Sequence, residues 1–149
     1  AGDFERAHDW YAGLLSTHPD FPLALEAFGL VNQQLGDLEG ARGAWRRWTE
    51  VSGLEPALAD TLVNAIERYE ETGTAQGLPE WWFEQLDLHP VYRATVLSIV
   101  GDREGALDWL EYGLQHRSPD MHSIGVRPEF RLLRSDRRFQ AILAGMGLR

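Results

Sequence analysis

The chain has 149 residues, 44% of them hydrophobic, and a formal net charge of −9. That length suits one domain with a continuous core. The apolar residues never run to the roughly 20 that a membrane-spanning helix needs, absent cysteine excludes disulfides and thiol chemistry, and so acidic a chain lacks the basic surface that non-specific nucleic-acid binding requires, so neither a membrane nor a nucleic acid is expected as partner.

Taken in order, the chain predicts helices throughout. Residues 3–17 form the first, ended by Pro19 and Pro22, the second of which starts the next helix over 22–35. On that helix Leu25, Phe28, Gly29 and Leu35 can face inward, with Gly29 permitting close helix contact. Gly36 ends it, where positive φ is cheapest, and Asp37 is a candidate N-cap for 37–51. Leu38, Ala41, Trp45 and Trp48 then share one face. A helix over 55–72 opens at Glu55-Pro56 and carries the stripe Leu58, Leu62, Ala65, Ile66, Tyr69.

Residues 72–77, Thr-Gly-Thr-Ala-Gln-Gly, make the clearest loop. A short helix from Glu80 to about Asp87 follows, holding Trp81, Trp82 and Phe83. Three consecutive aromatics cannot share one helical face. With Trp82 buried, Trp81 or Phe83 is expected to be partly exposed, as an aromatic contact point or as packing on a neighbouring element. Residues 91–100 and 102–117 form the last hairpin. His18 and His89, each before a proline, are placed near helix C-termini, where the dipole favours a cation. In the tail, Ser135 or Asp136 caps a last helix whose apolar stripe is Phe139, Ile142, Leu143 and Met146. The six arginines from 117 to 138 then point outward or pair with the acidic body. Residues 1–90 hold 16 acids against 5 arginines, residues 91–149 hold 7 against 9, and the plain reading is a solvated acidic face with a self-complementary tail.

One ruler recurs along this string. From Gly36, a small residue lies five on (Ala41), an aromatic nine on (Trp45) and a large apolar residue twelve on (Trp48). From Gly2 the same offsets give Ala7, Tyr11 and Leu14. From Gly101 they give Ala106, Leu110 and Gly113, and from Gly73 a degraded set, Leu78, Trp82 and Gln85. These glycines stand 34, 37 and 28 residues apart (2 to 36, 36 to 73, 73 to 101), near the 34-residue helix–turn–helix period.

On the strength of Gly-Asp-Phe-Glu-Arg-Ala (2–7), Gly-Asp-Leu-Glu-Gly-Ala (36–41) and Gly-Asp-Arg-Glu-Gly-Ala (101–106), residues 1–118 resemble tetratricopeptide repeats. The resemblance implies an all-α right-handed superhelix of about three and a half hairpins, starting mid-repeat, with residues 119–149 as a capping segment of the same domain ending in a capping helix. The tail looks like those that close many bacterial proteins with such repeats, which implies the C-terminal part of a larger cytoplasmic regulatory protein.

In that family the first helix of each pair builds a concave surface that holds a partner segment. Carried over by periodicity, the groove positions are Leu23, Glu26, Leu30, Gln33 and Gln34; then Asp60, Val63, Glu67, Glu70 and Glu71; then Val91, Thr95, Ser98 and Ile99. Family members that clamp a carboxylate use lysine, arginine and asparagine. Here only Asn32 and Arg93 lie at the edges, against five carboxylates, so the expected partner is a basic or neutral protein or peptide segment rather than an anionic one. One rival reading is a structural or oligomerising arm that uses the N-terminal half-repeat and Trp81 or Phe83; the other is an enzyme, which a buried histidine–carboxylate pair in a pocket would support.

Nothing in the sequence points to catalysis. It lacks His-Glu-x-x-His, Gly-x-Ser-x-Gly, a phosphate-cradling loop and a dinucleotide fingerprint. His116, Asp120 and His122 are the only local group with ligand-like chemistry, and they lack a fourth ligand. Glu67, Glu70 and Glu71 read as a solvated face. No catalytic residue, metal or cofactor is expected.

Overall fold

The computed structural model describes residues 2–147; Ala1 and the last two residues of the expected capping segment, Leu148 and Arg149, lie outside them. The described residues are helical, with no strand. The helices are α1 (Gly2–Thr17), α2 (Pro22–Leu35), α3 (Leu38–Val51), α4 (Ala57–Thr72), α5 (Glu80–Glu84), α6 (Pro90–Ile99), α7 (Arg103–Gln115) and α8 (Arg137–Gly145), with 3-10 turns at Pro119–Ser123 and Pro128–Leu133. They pack mainly as neighbours: α1 with α2, α2 with α3, α6 with α7. The chain divides into two compact units, Ala1–Glu67 and Arg68–Arg149, with the boundary inside α4. No helix among the described residues is long and apolar enough to cross a membrane.

Two turns share one construction. At the end of α2, Gly36 takes φ 81°, its N–H donates to the Gln33 carbonyl (3.1 Å), and the Asp37 N–H donates to the Asn32 carbonyl (2.9 Å). At the end of α6, Gly101 takes φ 85°, with Gly101 N–H to Ser98 O (3.2 Å) and Asp102 N–H to Leu97 O (2.9 Å). Both close a helix through a left-handed residue that satisfies two terminal carbonyls. Each aspartate then accepts from the N–H three residues on, Gly40 to Asp37 and Gly105 to Asp102, both at 2.9 Å, capping the next helix. The alanines one residue further on, Ala41 and Ala106, are fully buried. The two other copies of the motif do not build this turn. Gly2 opens α1, with Asp3 inside the helix and paired with Arg6. Gly73 has φ 68° but leads into an irregular stretch up to Pro79.

In the first unit α2 and α3 meet closely. Trp45, 4% exposed, donates its indole N–H to the Glu26 carbonyl (3.2 Å). Any Cβ on Gly29 would overlap that indole, so glycine there is required by tertiary approach. Leu35, expected to face inward, is instead 38% exposed. It is the last helical residue before the reversal, and Asn32, 1% exposed, takes the inward place.

The second unit has one core. Val91, Ala94 and Leu97 of α6, Ala106, Leu107 and Leu110 of α7, Met121, Ile124, Phe130 and Leu133 of the intervening segment, and Phe139, Ile142 and Leu143 of α8 are buried together. Asp136 caps α8 by accepting from the Arg138 N–H (2.7 Å). Arg138 reaches Glu104 (2.8 Å), Asp108 (2.6 Å) and Glu111 (2.8 Å) along α7. The tail arginines therefore divide, and this one pairs as expected.

Boundaries shift at two places. α5 stops at Glu84, short of Asp87, because the i→i−4 ladder lapses there: the Leu86 N–H donates to the Phe83 carbonyl (3.4 Å) and the Leu88 N–H to the Leu86 carbonyl (2.9 Å). His89 consequently does not end a helix but is the N-cap residue of α6, where its Nε2 lies 3.1 Å from Asp120.

Candidate functional site

In the first unit the α2 positions expected to contact a partner stay at the surface. Leu23 is 68% exposed, and Glu26, Leu30, Gln33 and Gln34 are half-buried. Gln34 donates its side-chain amide to the Gln33 side-chain oxygen Oε1 at 2.8 Å. This gives an apolar and amide-bearing strip along one helix.

The α4 positions behave differently. Arg46 grips Asp60 through Nε (2.8 Å) and Nη2 (3.1 Å). Arg42, whose side chain is 15% exposed, reaches Asp60 (3.3 Å), Asn64 (3.2 Å) and Glu67 (3.1 Å). Asp60, Asn64 and Glu67 are spaced i, i+4, i+7, so they present one edge of α4 to the arginines of α3. Two of the five supposed groove carboxylates are thus already neutralised within the fold. Val63 is fully buried and has no surface to offer. Glu70 and Glu71 are exposed. The signal for this seam was in the sequence, as Arg42 and Arg46 one turn apart and an acidic-polar stripe of matching spacing, but periodicity does not say which stripes meet.

The hydrogen bond from Arg46, then that from Arg42, holds the Asp60 carboxyl below its ordinary value despite partial desolvation. A depressed carboxyl contributes stability in full above the unfolded-state value, about 3.9, and loses it as pH falls through the folded value. Arg46→Gln is therefore expected to return the Asp60 titration, followed by carboxyl-carbon NMR, toward the ordinary aspartate range, and to weaken the acid-side dependence of stability. An unchanged titration would remove the Arg46 contact from solution.

In the second unit, Trp82 is 3% exposed and Trp81 39%. Phe83 is half-buried and lies under the Arg93 guanidinium, which sits 4.4 Å from the Phe83 ring and 4.4 Å from the Trp109 ring. Trp81 is therefore the open aromatic of the three. The α6 positions are covered: Val91, Thr95, Ser98 and Ile99 are all buried. Thr95 donates to the Val91 carbonyl (2.9 Å) and accepts from Arg127 (2.8 Å), while Ser98 donates to the Glu129 carbonyl (2.8 Å). Thr95 is thus withdrawn from any contact surface, because the chain's own tail lies on that face. Phe130 and Leu133, at 0% and 1% exposure, seat the tail there as core, since burying each such side chain is worth about 1.5–3 kcal/mol.

The residues with catalytic or ligand chemistry do not converge. His116 Nδ1 lies 2.8 Å from the Tyr112 carbonyl and its ring stacks on Tyr112 at 3.8 Å. His122 Nδ1 lies 2.7 Å from the Pro119 carbonyl, and Asp120 turns to His89 instead. The His89–Asp120 pair is about half exposed, 48% and 47%. Among the described residues no three of the histidines and carboxylates are arranged to hold a metal ion. A shallow open depression is lined by His18, Pro19, Asp20 and Phe21. No family model, curated protein or solved structure matches this chain.

Proposed function

We propose that the chain is a non-catalytic protein-interaction module of tetratricopeptide-like hairpins, and that the open face of α2 binds a basic or neutral amphipathic segment of a partner. The observation that carries this is the state of the first unit's charges. Residues 1–67 hold 11 acids and 4 arginines, and all four arginines, 6, 42, 46 and 47, are paired with carboxylates. The surplus is negative, and beside it Leu23 and Leu30 offer apolar surface with no cation to attract an anionic ligand. The paired packing of α2 with α3 and of α6 with α7, each through the same glycine–aspartate turn, supports the tetratricopeptide-like reading of these two hairpins.

The test is direct binding of three labelled amphipathic peptides with leucine at helical spacing and arginine, glutamine or glutamate elsewhere. The arginine peptide is expected to bind best and to weaken with salt. Leu30→Arg combined with Gln34→Arg is expected to weaken it at least about tenfold with the helical circular dichroism unchanged. Equal binding to the double variant, or preference for the glutamate peptide at this face, would refute the reading. Glu67 is unsuitable for such a test because its loss would also break the Arg42 contact.

A second reading has its own observation. α1 contains no buried residue and Trp10 is 62% exposed, which suits a structural arm associating through that helix. A concentration-dependent dimer abolished by Trp10→Ser would favour it.

A further inference from the structure

The 3-10 turn Pro128–Leu133 has three residues per turn, so positions three apart stand on one edge. Phe130 and Leu133 point inward and are buried, which fixes Arg131 and Arg134 on an outer edge, both exposed. Gln140 of α8 donates its amide to the Arg134 carbonyl (2.5 Å). Arg137 lies one turn before Gln140 on α8, three residues after Arg134, and it too is exposed. Leu132, on the adjoining edge of the turn, is 49% exposed.

These three guanidiniums differ from Arg127 and Arg138, which flank them in sequence. Arg138, the next residue, is held by three carboxylates, and Arg127 is engaged with Thr95. Among the described residues, none of Arg131, Arg134 and Arg137 forms an ion pair, in a chain that carries 23 acids. Of the local carboxylates, Asp136 caps α8, and Glu129 has one oxygen buried without a hydrogen-bond partner, so neither pairs with these arginines. Cations without a carboxylate partner gain from an opposite charge brought to them.

We propose that Arg131, Arg134 and Arg137, with Leu132 on the adjoining edge, form a docking strip for an acidic amphipathic segment of a protein partner. The complementarity is local and short: planar guanidiniums offer forked donors that match carboxylates, and one half-exposed leucine gives an apolar anchor. Duplex nucleic acid is the poorer fit, since three cations neutralise few phosphates and the chain's net charge of −9 repels a long polyanion. This strip is opposite in sign to the α2 face and does not depend on it.

The experiment is fluorescence anisotropy of a labelled peptide with leucine at helical spacing and glutamate elsewhere. Binding is expected to weaken with salt and to fall about tenfold in the triple variant Arg131→Gln, Arg134→Gln, Arg137→Gln, three exposed pairs being lost. Arg134→Glu is expected to weaken it further, and Leu132→Ser to weaken it with less change in salt dependence. These residues are exposed, so the variants should keep the parent's helical signal. No binding, or equal binding to the triple variant, overturns the proposal. So does equal competition by duplex DNA, or sedimentation showing a self-association that the triple variant disperses, since the occupant would then be a second copy.

Discussion

Phe139→Ala is expected to destabilise the second unit by about 3–5 kcal/mol, the usual result of emptying a buried aromatic site. Phe139 is fully buried, its ring centroid 6.1 Å from that of Phe130, among the apolar residues that join α6, α7, the 3-10 segment and α8. The same tail is also tied by Arg138 to α7, but those partners are exposed to water, from 40% to 78%, and such pairs count for little beside the apolar contacts. Phe139→Leu, which keeps much of the volume, should cost distinctly less. Denaturant unfolding followed by tryptophan fluorescence reads this out, since Trp82 and Trp109 lie in the same unit. A loss under about 1 kcal/mol for Phe139→Ala would mean that the tail is not part of the core.

The second large effect separates two glycines that look alike in sequence. Gly36 and Gly101 have φ of 81° and 85° and precede the same aspartate turn. Alanine at Gly36 meets no atom within 4 Å of its Cβ, so it carries only the left-handed penalty, about 1–2 kcal/mol. Alanine at Gly101 carries that penalty and also overlaps the Tyr69 ring. With overpacking adding about 1–3 kcal/mol, Gly101→Ala is expected to lose about 2–5 kcal/mol in all. Chemical denaturation of both variants decides the point. Equal losses would show that Tyr69 yields freely and that the turn alone makes the demand. Truncating the ring in Gly101→Ala/Tyr69→Ala should then relieve part of the clash, a non-additive result expected for neighbours in contact.

The contrast shows where sequence reading succeeded. The turns at 36–41 and 101–106, the capping by Asp37 and the helix bounds 22–35 follow from interactions within about four residues. Such interactions are written in the local order of residue types. The same reasoning placed Phe139, Ile142 and Leu143 on one face of α8, where they are buried.

The candidate site was legible only in part. Of the α2 positions, Leu23 is exposed and Glu26, Leu30, Gln33 and Gln34 are half-buried. Val63 and Thr95 are buried, and Asp60 and Glu67 are joined to Arg42 and Arg46. The deciding contacts span long separations: 18 residues between Arg42 and Asp60, 31 between Ser98 and Glu129, and 32 between Arg127 and Thr95.

By itself, then, the sequence determined that the chain is helical, where its helices stop and which side of each is apolar, because capping and amphipathic spacing act over one helical turn. Only the tertiary structure decided which apolar and charged stripes face each other. It laid the tail over α6 and α3's arginines against α4's acids, because partner choice depends on matching volume and charge between segments far apart in the chain, and no local pattern carries that information.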